Sequence, residues 1–163
     1  MNTVIAIVAT TSLLGSALIA GVFFAFSSFV MKALARVPAS QGIAAMQSIN
    51  IVVINRSFLG AFFGTAVLSL GVVALALARW NHPSTMLFLA AAMCYVAGTF
   101  GVTMFGNVPL NNRLAAVSAA DPASRDVWRH YLDRWTRWNH VRTVAAIIAA
   151  LFYTVGLMQI GGT

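Results

Sequence analysis

Four stretches of this chain carry no charged residue and are each long enough to cross a bilayer: Val4 to Val30, Ser57 to Ala78, Ser84 to Gly106 and Thr143 to Ile160. Crossing roughly 30 Å of hydrocarbon takes about 20 apolar residues in a helix. Only a helix or a closed barrel can satisfy its backbone polar groups at that depth. The expected fold is therefore all-α, an integral membrane four-helix bundle forming one domain over residues 1–163. Composition agrees: 60% of residues are hydrophobic and 8% charged, whereas soluble domains carry about 25% charged residues. A soluble enzyme is excluded, and so is a disulfide scaffold, because Cys94 has no second cysteine to pair with.

The few charges are placed unevenly. Four spans put both termini and the Trp80-Asn81-His82-Pro83 turn on one side. The other side then holds Lys32, Arg36, Arg56, Arg113, Arg125, Arg129, Arg134, Arg137 and Arg142, with only Arg79 opposing them. The positive-inside rule makes that arginine-rich side cytoplasmic, so the expectation is a multi-pass protein of the cell (inner) membrane with both termini outside. The net charge of +7 reads as topology signal and contact with anionic headgroups. Nucleic-acid modules carry such charge on a soluble scaffold, so no nucleic-acid partner is expected. The first apolar run lacks a basic leader and continues past any small-residue cleavage site, which reads as an uncleaved helix.

Both arginine-side connections carry helical patterns. From Pro38, residues Ile43, Met46, Gln47, Asn50, Ile51 and Ile54 share one face, and no breaker precedes the second span, so one continuous helix is expected. In the other connection, Asp121-Pro122 is suited to opening a helix that runs into the fourth span. Trp128, Tyr131, Trp135, Trp138 and Arg142 then fall on one stripe, with Asp126–His130 and Asp133–Arg137 as charge pairs on the remaining surface. The stripe reads either as an interfacial aromatic belt or as the lining of a pocket for a flat ligand. Small residues at helix-packing spacing, Gly60/Gly64, Ser12/Ser16/Ala20 and Ala97/Gly101, fit packing inside the bundle and leave a homo-oligomer open.

The spans contain no Asp, Glu, Lys, Arg or His. That excludes a di-iron carboxylate bundle, a bis-histidine haem and a conventional proton pump. Asp126, His130 and Asp133 share a face, but salt bridges to nearby arginines are the simpler reading, and no metal or cofactor is implied. What remains is a polar cluster at the arginine-side membrane edge. Asn107, Pro109, Asn111, Asn112 and Arg113 close the third span, with Pro109 expected to stop the helix. Trp138, Asn139, His140 and Arg142 open the fourth, and Gln47, Asn50, Asn55 and Arg56 stand before the second. An unpaired amide is costly in low dielectric, so these groups must meet one another, water, lipid phosphate or a ligand.

At these residues the chain resembles the anthrone oxygenase-like membrane family. The resemblance rests on Gly21 to Ser28 (Gly-x-x-Phe-x-Phe-Ser-Ser), Met46-Gln47-Ser-Ile-Asn50, Asn107-Val-Pro-Leu-Asn-Asn-Arg113 and Trp135-x-x-Trp138-Asn139-x-x-Arg142. It implies a four-helix membrane bundle, and fungal members oxidise anthrones to anthraquinones with molecular oxygen. Asn107, Asn111, Asn112, Arg113, Trp138, Asn139 and Arg142 are the matching motif positions.

Two functional classes follow. In the first, the chain binds a hydrophobic small molecule in the bilayer and acts as an oxygenase on anthrone-like or other flat substrates. His140 would then be the base, while Arg142, Arg56, Asn107 and Asn111 would hold developing negative charge. Met46, Tyr131, Trp135 and Trp138 would sandwich the ring, with Gln47, Asn50, Asn112 and Asn139 completing the site. In the second class the chain is a non-enzymatic accessory or assembly subunit of a membrane complex, and the same polar edge is an interface.

Overall fold

A chain in lipid gains little from burying leucine against leucine, because the surrounding tails are equally apolar, so its helices associate by close packing and internal hydrogen bonds. The computed structural model describes residues 2–161 and shows both devices. Its regular elements are helices: α1 Asn2–Leu34, α2 Ala39–Val52, α3 Arg56–Leu77, α4 Thr85–Ala115 and α5 Ser124–Gly161. The four long ones, α1, α3, α4 and α5, are apolar enough to span a membrane, so the chain is a multi-pass helical membrane bundle. Around the square, α1 lies against α3 and α5, and α4 closes it against the same two.

Small residues set the closest approaches. A Cβ on Gly15 would collide with the Thr65 hydroxyl between α1 and α3, and one on Gly98 would stand 2.6 Å from the Ala145 Cβ between α4 and α5. Gly60 and Gly64, the GxxxG pair of the sequence, have nothing within 4 Å of an added Cβ. Their face is not a contact within this chain, contrary to the packing role expected of it. Buried apolar residues form three layers, from Ile5, Val72, Phe88 and Tyr153 at the terminal end, through Ile19, Phe23, Phe62 and Tyr95, to Met31, Met46, Leu114, Tyr131 and Trp135 at the arginine-rich end.

Two expectations about continuity are corrected. α2 does not run into α3: it ends at Val52, and Asn55 adopts an extended backbone at φ −126°. Asn55 accepts a hydrogen bond from the Phe58 N–H at 3.0 Å while its own amide donates to the Val52 carbonyl at 2.9 Å. One asparagine thus caps the new helix and closes the old one. Pro109, in turn, does not end α4, which continues to Ala115. Proline removes one N–H and pushes on the carbonyl four residues back, and here the preceding turn, Thr103–Asn107, is π-helical. That wider winding gives the ring room.

α5 does run unbroken from the arginine side into the membrane. Its regular part begins at Ser124, after a turn in which Asp121 Oδ1 accepts the Ala123 N–H at 2.8 Å. Asp133 pairs with Arg137 at 2.8 Å, whereas Asp126 pairs with Arg129 at 3.2 Å and not with His130. α2 folds over the arginine-rich end, with Gly42 pressed under the Trp128 ring. Gln47 Nε2 donates to the Leu114 and Val117 carbonyls at 2.8 and 3.0 Å, which fastens α2 to the end of α4.

Candidate functional site

The inward face of α5 carries Trp128, Tyr131, Trp135, Asn139 and Arg142, all buried. The sequence stripe had Trp138 in place of Asn139. A step of three or four residues keeps the same helix face, and the structure takes four after Trp135. Trp138 turns to the other side, where its ring lies against Gly106. The rings of Trp128, Tyr131 and Trp135 stack in succession at 5.7 and 6.0 Å between centroids. Asn111 Oδ1 accepts from both the Tyr131 hydroxyl and the Trp135 indole N–H, each at 2.8 Å. Asn50 Nδ2 reaches the same tyrosine oxygen at 3.4 Å. One amide oxygen on α4 therefore fixes two aromatic side chains of α5.

Arg142 is 4% exposed and points into the bundle rather than toward the headgroups. The spans are thus less bare of charge than their sequence suggests. Its NH2 donates to Asn139 Oδ1 at 2.6 Å and its NH1 to Thr103 Oγ1 at 3.3 Å. The guanidinium stands 4.0 Å from the centre of the Phe23 ring and 5.0 Å from that of Trp135, distances at which the ring faces attract a cation. Asn139 is held in turn, its amide donating to the Phe23 carbonyl and to Ser27 Oγ, both at 2.7 Å. Thr143 spends its proton on the Asn139 carbonyl, so the 3.0 Å contact between Ser27 and Thr143 is donated by Ser27.

The helices that present these partners are locally rewound. Ser27 lies in the π-helical turn Phe26–Val30 of α1, Thr99 in Cys94–Gly101 and Thr103 and Asn107 in Thr103–Asn107 of α4. Each of the four bonds to α5: Thr99 Oγ1 to the Arg142 carbonyl, Asn107 Nδ2 to the Trp135 carbonyl, and Ser27 and Thr103 as above. A π turn adds a residue to the winding, and such turns concentrate at functional sites. Here they swing short polar side chains of α1 and α4 onto one stretch of α5, Trp135 to Thr143.

Beside the guanidinium lies a cavity of about 370 Å3, within the usual size of small-molecule sites, roughly 300–1,000 Å3. Phe23, Phe26, Phe58, Phe62, Phe63 and Trp135 supply aromatic walls, Met46 and Asn50 come from α2, and Asn111, Thr103 and Arg142 are its polar groups on α4 and α5. The described carboxylates, Asp121, Asp126 and Asp133, are exposed on the arginine side. Arg142 therefore has no carboxylate partner, and its Nε is buried without a hydrogen bond. Burying a charge is expensive unless it is paired. What this arrangement can do chemically is hold an anionic oxygen at the end of an aromatic slot.

Of the residues singled out in the sequence, Met46, Asn50, Asn111, Trp135 and Arg142 line this cavity. Tyr131 and Asn139 stand directly behind it as partners of Asn111 and Arg142. Asn107 is buried behind Trp135, with its Oδ1 unpaired. Gln47 is a clamp between α2 and α4. Arg56, Asn112, Arg113 and His140 are exposed and do not line the cavity, and Trp138 is turned away from it. The sequence reading missed Phe23, Phe58, Phe62 and Thr103. The recurrence of phenylalanine near the arginine-side ends of the first and second spans was a signal, but it is indistinguishable by composition from lipid-facing apolar surface.

This fold and site define a class, the integral membrane helical bundles with an internal cavity floored by a single buried charge. Comparison with protein families matches residues 50–152 to the anthrone oxygenase family, and the chain belongs to that family. No curated protein and no solved structure matches it. The matched stretch contains Asn107, Asn111, Trp135, Asn139 and Arg142, while Phe23, Ser27 and Met46, which complete the site, lie before it.

Proposed function

We propose that this protein is an oxygenase that binds a flat, hydrophobic, anthrone-like molecule in the cavity that α1 to α5 enclose and holds its oxygen anion on Arg142. The observation that carries the reading is the buried guanidinium, without a carboxylate partner, at the end of an aromatic cavity. Family membership supplies the reaction class.

The chemistry needs little from the protein beyond this. An anthrone that has lost a proton from its central carbon is an anion whose charge lies largely on the ring oxygen, where Arg142 stabilises it. The anion gives one electron to dioxygen, and the resulting radical and superoxide join in a C–O bond. The peroxide takes up a proton, and the hydroperoxide then loses water as the remaining C–H bond breaks, leaving a carbonyl. One oxygen atom stays as the new carbonyl on the central carbon and the other leaves as water, so no further reductant is required. The cavity walls hold no carboxylate, imidazole or amine. The first proton is therefore lost to water at the arginine-rich rim as the anion forms, and Arg142 favours that loss. Thr103 and Asn139 position the guanidinium.

Oxygen uptake with a hydroxylated anthrone, measured on protein in nanodiscs, tests this. Uptake above the uncatalysed rate, abolished in Arg142→Met, is expected. A wild-type rate equal to that of empty nanodiscs, or an Arg142→Met rate equal to wild type, overturns it. Co-purification with a stoichiometric protein partner and no uptake would favour the accessory-subunit reading.

A further inference from the structure

The cavity is closed at its Arg142 end, where the lining is buried, and opens along one side. Its lining residues show a gradient: Phe23, Met46, Phe62, Trp135 and Arg142 are buried, whereas Met104, Phe63 and Ile54 are 39%, 45% and 68% exposed. The three exposed residues lie along one seam. Phe63 is on α3, Met104 on the π-helical turn of α4, and Ile54 in the break before α3. α3 packs on α4 along Thr85–Gly101 and diverges from it beyond that point. The last contact is aromatic, with the Phe100 ring 5.3 Å from both Phe62 and Phe63. Below Phe100 the seam stands open. The break at Asn55 and the π turn at Thr103–Asn107 are the two local departures from a straight helix pair at this place.

Depth decides what lies outside the opening. Phe63 comes seven residues after Arg56, about 10 Å along the helix axis at 1.5 Å per residue. With Arg56 taken at the headgroup level, as basic residues flanking a span are, the mouth runs from Ile54 at that level to Phe63 among the adjoining acyl chains of the arginine-side leaflet. Ile51 and Val52, at the end of α2 just before Ile54, are also exposed and apolar.

We infer that ligands enter this site sideways from the bilayer, through the seam between α3 and α4, and that Phe63, Met104 and Ile54 select thin, membrane-dissolved molecules carrying one ionisable oxygen. The inference rests on the reading of the cavity as a ligand site and adds the route and the physical class of ligand. A neutral phenol or enol partitions into the leaflet with its oxygen near the headgroups. From that position it slides edge-on between Phe63 and Met104, and its oxygen meets Arg142 at the far end. Charge complementarity favours this occupant over a lipid acyl chain, which would leave the guanidinium uncompensated. A strongly charged, water-soluble anion would have to give up its hydration against the apolar mouth of Ile54, Phe63 and Met104.

The test uses 1,8-dihydroxyanthraquinone, a flat hydroxylated tricycle that cannot be oxygenated at its central carbons, followed by its own visible absorption on binding to protein in vesicles. The wild-type association rate should track the mole fraction of probe in the lipid when lipid is varied at fixed total probe. Met104→Trp should slow association by about tenfold and Met104→Ala should not slow it, within the range that single-interface changes cover. Val144→Trp is the control: Val144 is lipid-exposed on α5 and lines no cavity named above. Equal slowing by both tryptophans, or a rate that follows aqueous probe at constant membrane mole fraction, overturns the inference. So does a tightly held phospholipid that the probe fails to displace. Because the probe does not react, normal entry without oxygen uptake from an anthrone would sink the proposed reaction and leave the entrance standing, and the reverse result would do the opposite.

Discussion

The Arg142 guanidinium lies 4.0 Å from the centre of the Phe23 ring, so the one charged side chain buried among the described residues rests on an aromatic face of α1 rather than on a carboxylate. A cation–π contact of this kind contributes about 2 kcal/mol when desolvated, and hydrogen bonds from charged groups about 1.5–3 kcal/mol each. Together these at best offset the cost of taking a guanidinium out of water, which is several kcal/mol even after relaxation, and Nε is left without a partner. The free protein thus carries an incompletely compensated charge at the place where a ligand anion would relieve it.

From that imbalance, Arg142→Met is expected to leave the unliganded protein as stable as wild type or more so, by up to about 4 kcal/mol as in other replacements of buried charge by apolar side chains. Affinity for the dihydroxyanthraquinone anion should fall by at least about tenfold, which is 1.4 kcal/mol. Thermal unfolding in detergent and equilibrium titration read the two effects. A variant that is both less stable and equally good at binding would show that Arg142 is structural.

Asn139→Leu should behave in the opposite sense. It keeps the guanidinium buried and removes the 2.6 Å acceptor on which NH2 rests, and it also frees the Phe23 carbonyl and Ser27 hydroxyl. Leaving a buried donor unpaired costs about 1–3 kcal/mol and more for a charged group, so this variant should unfold well below Arg142→Met in temperature. Asn139→Leu melting at or above Arg142→Met would mean that the amide does not hold the charge.

Much of this was legible in the residues, and the reasons for the rest are physical. The spans follow from length and apolarity, and the aromatic face of α5 follows from its spacing. Asn111, Trp135 and Arg142 stood out because amides and guanidinium are expensive near lipid. Asn139 and Trp138 could not be ranked, since a step of three or four residues is equally helical, and the choice was made by the slot that Gly106 leaves on α4. The break at Asn55 carries neither proline nor glycine, and asparagine is as ordinary inside a polar helix face as at a cap. The π turns have no sequence signature, yet they decide where Ser27, Thr103 and Asn107 point. Phe23 lay hidden among phenylalanines that look made for lipid.

Asn111→Asp gives a further check on the charge. The carboxylate preserves an oxygen acceptor for the Tyr131 hydroxyl and the Trp135 indole, at present both 2.8 Å from Asn111 Oδ1. It also places a negative charge on the wall of the cavity that Arg142 lines. The expected result is unchanged or raised thermal stability together with anion affinity lowered by at least about tenfold, the equivalent of 1.4 kcal/mol. Retained affinity would mean that the ligand's oxygen sits away from Arg142.

His140 separates the geometric reading from the motif. It is exposed and lines no part of the cavity, so His140→Ala should leave oxygen uptake within about twofold of wild type, the range of a substitution that touches neither ground nor transition state. A large loss in kcat with unchanged stability would return the imidazole to the site and call for a different arrangement of α5 during turnover.

The last expectation concerns the packing of α1 against α3. Gly15 and Gly64 both look like helix-packing glycines, but only Gly15 meets a neighbour, the Thr65 side chain across α1 and α3. Thr65 is not free to swing away, because its hydroxyl donates to the Ala61 carbonyl at 2.7 Å and the residue is buried. Gly15→Ala must therefore part the two helices or break that bond, at a cost of about 1–3 kcal/mol typical of overpacking. Gly64→Ala fills open space and removes a flexible residue from a helix, which in itself favours the folded state by about 1 kcal/mol. Unfolding temperatures in detergent should separate the pair, with Gly15→Ala below wild type and Gly64→Ala at or above it. A fall in Gly64→Ala that grows on dilution of the protein would instead reveal that this face packs against a second copy of the chain.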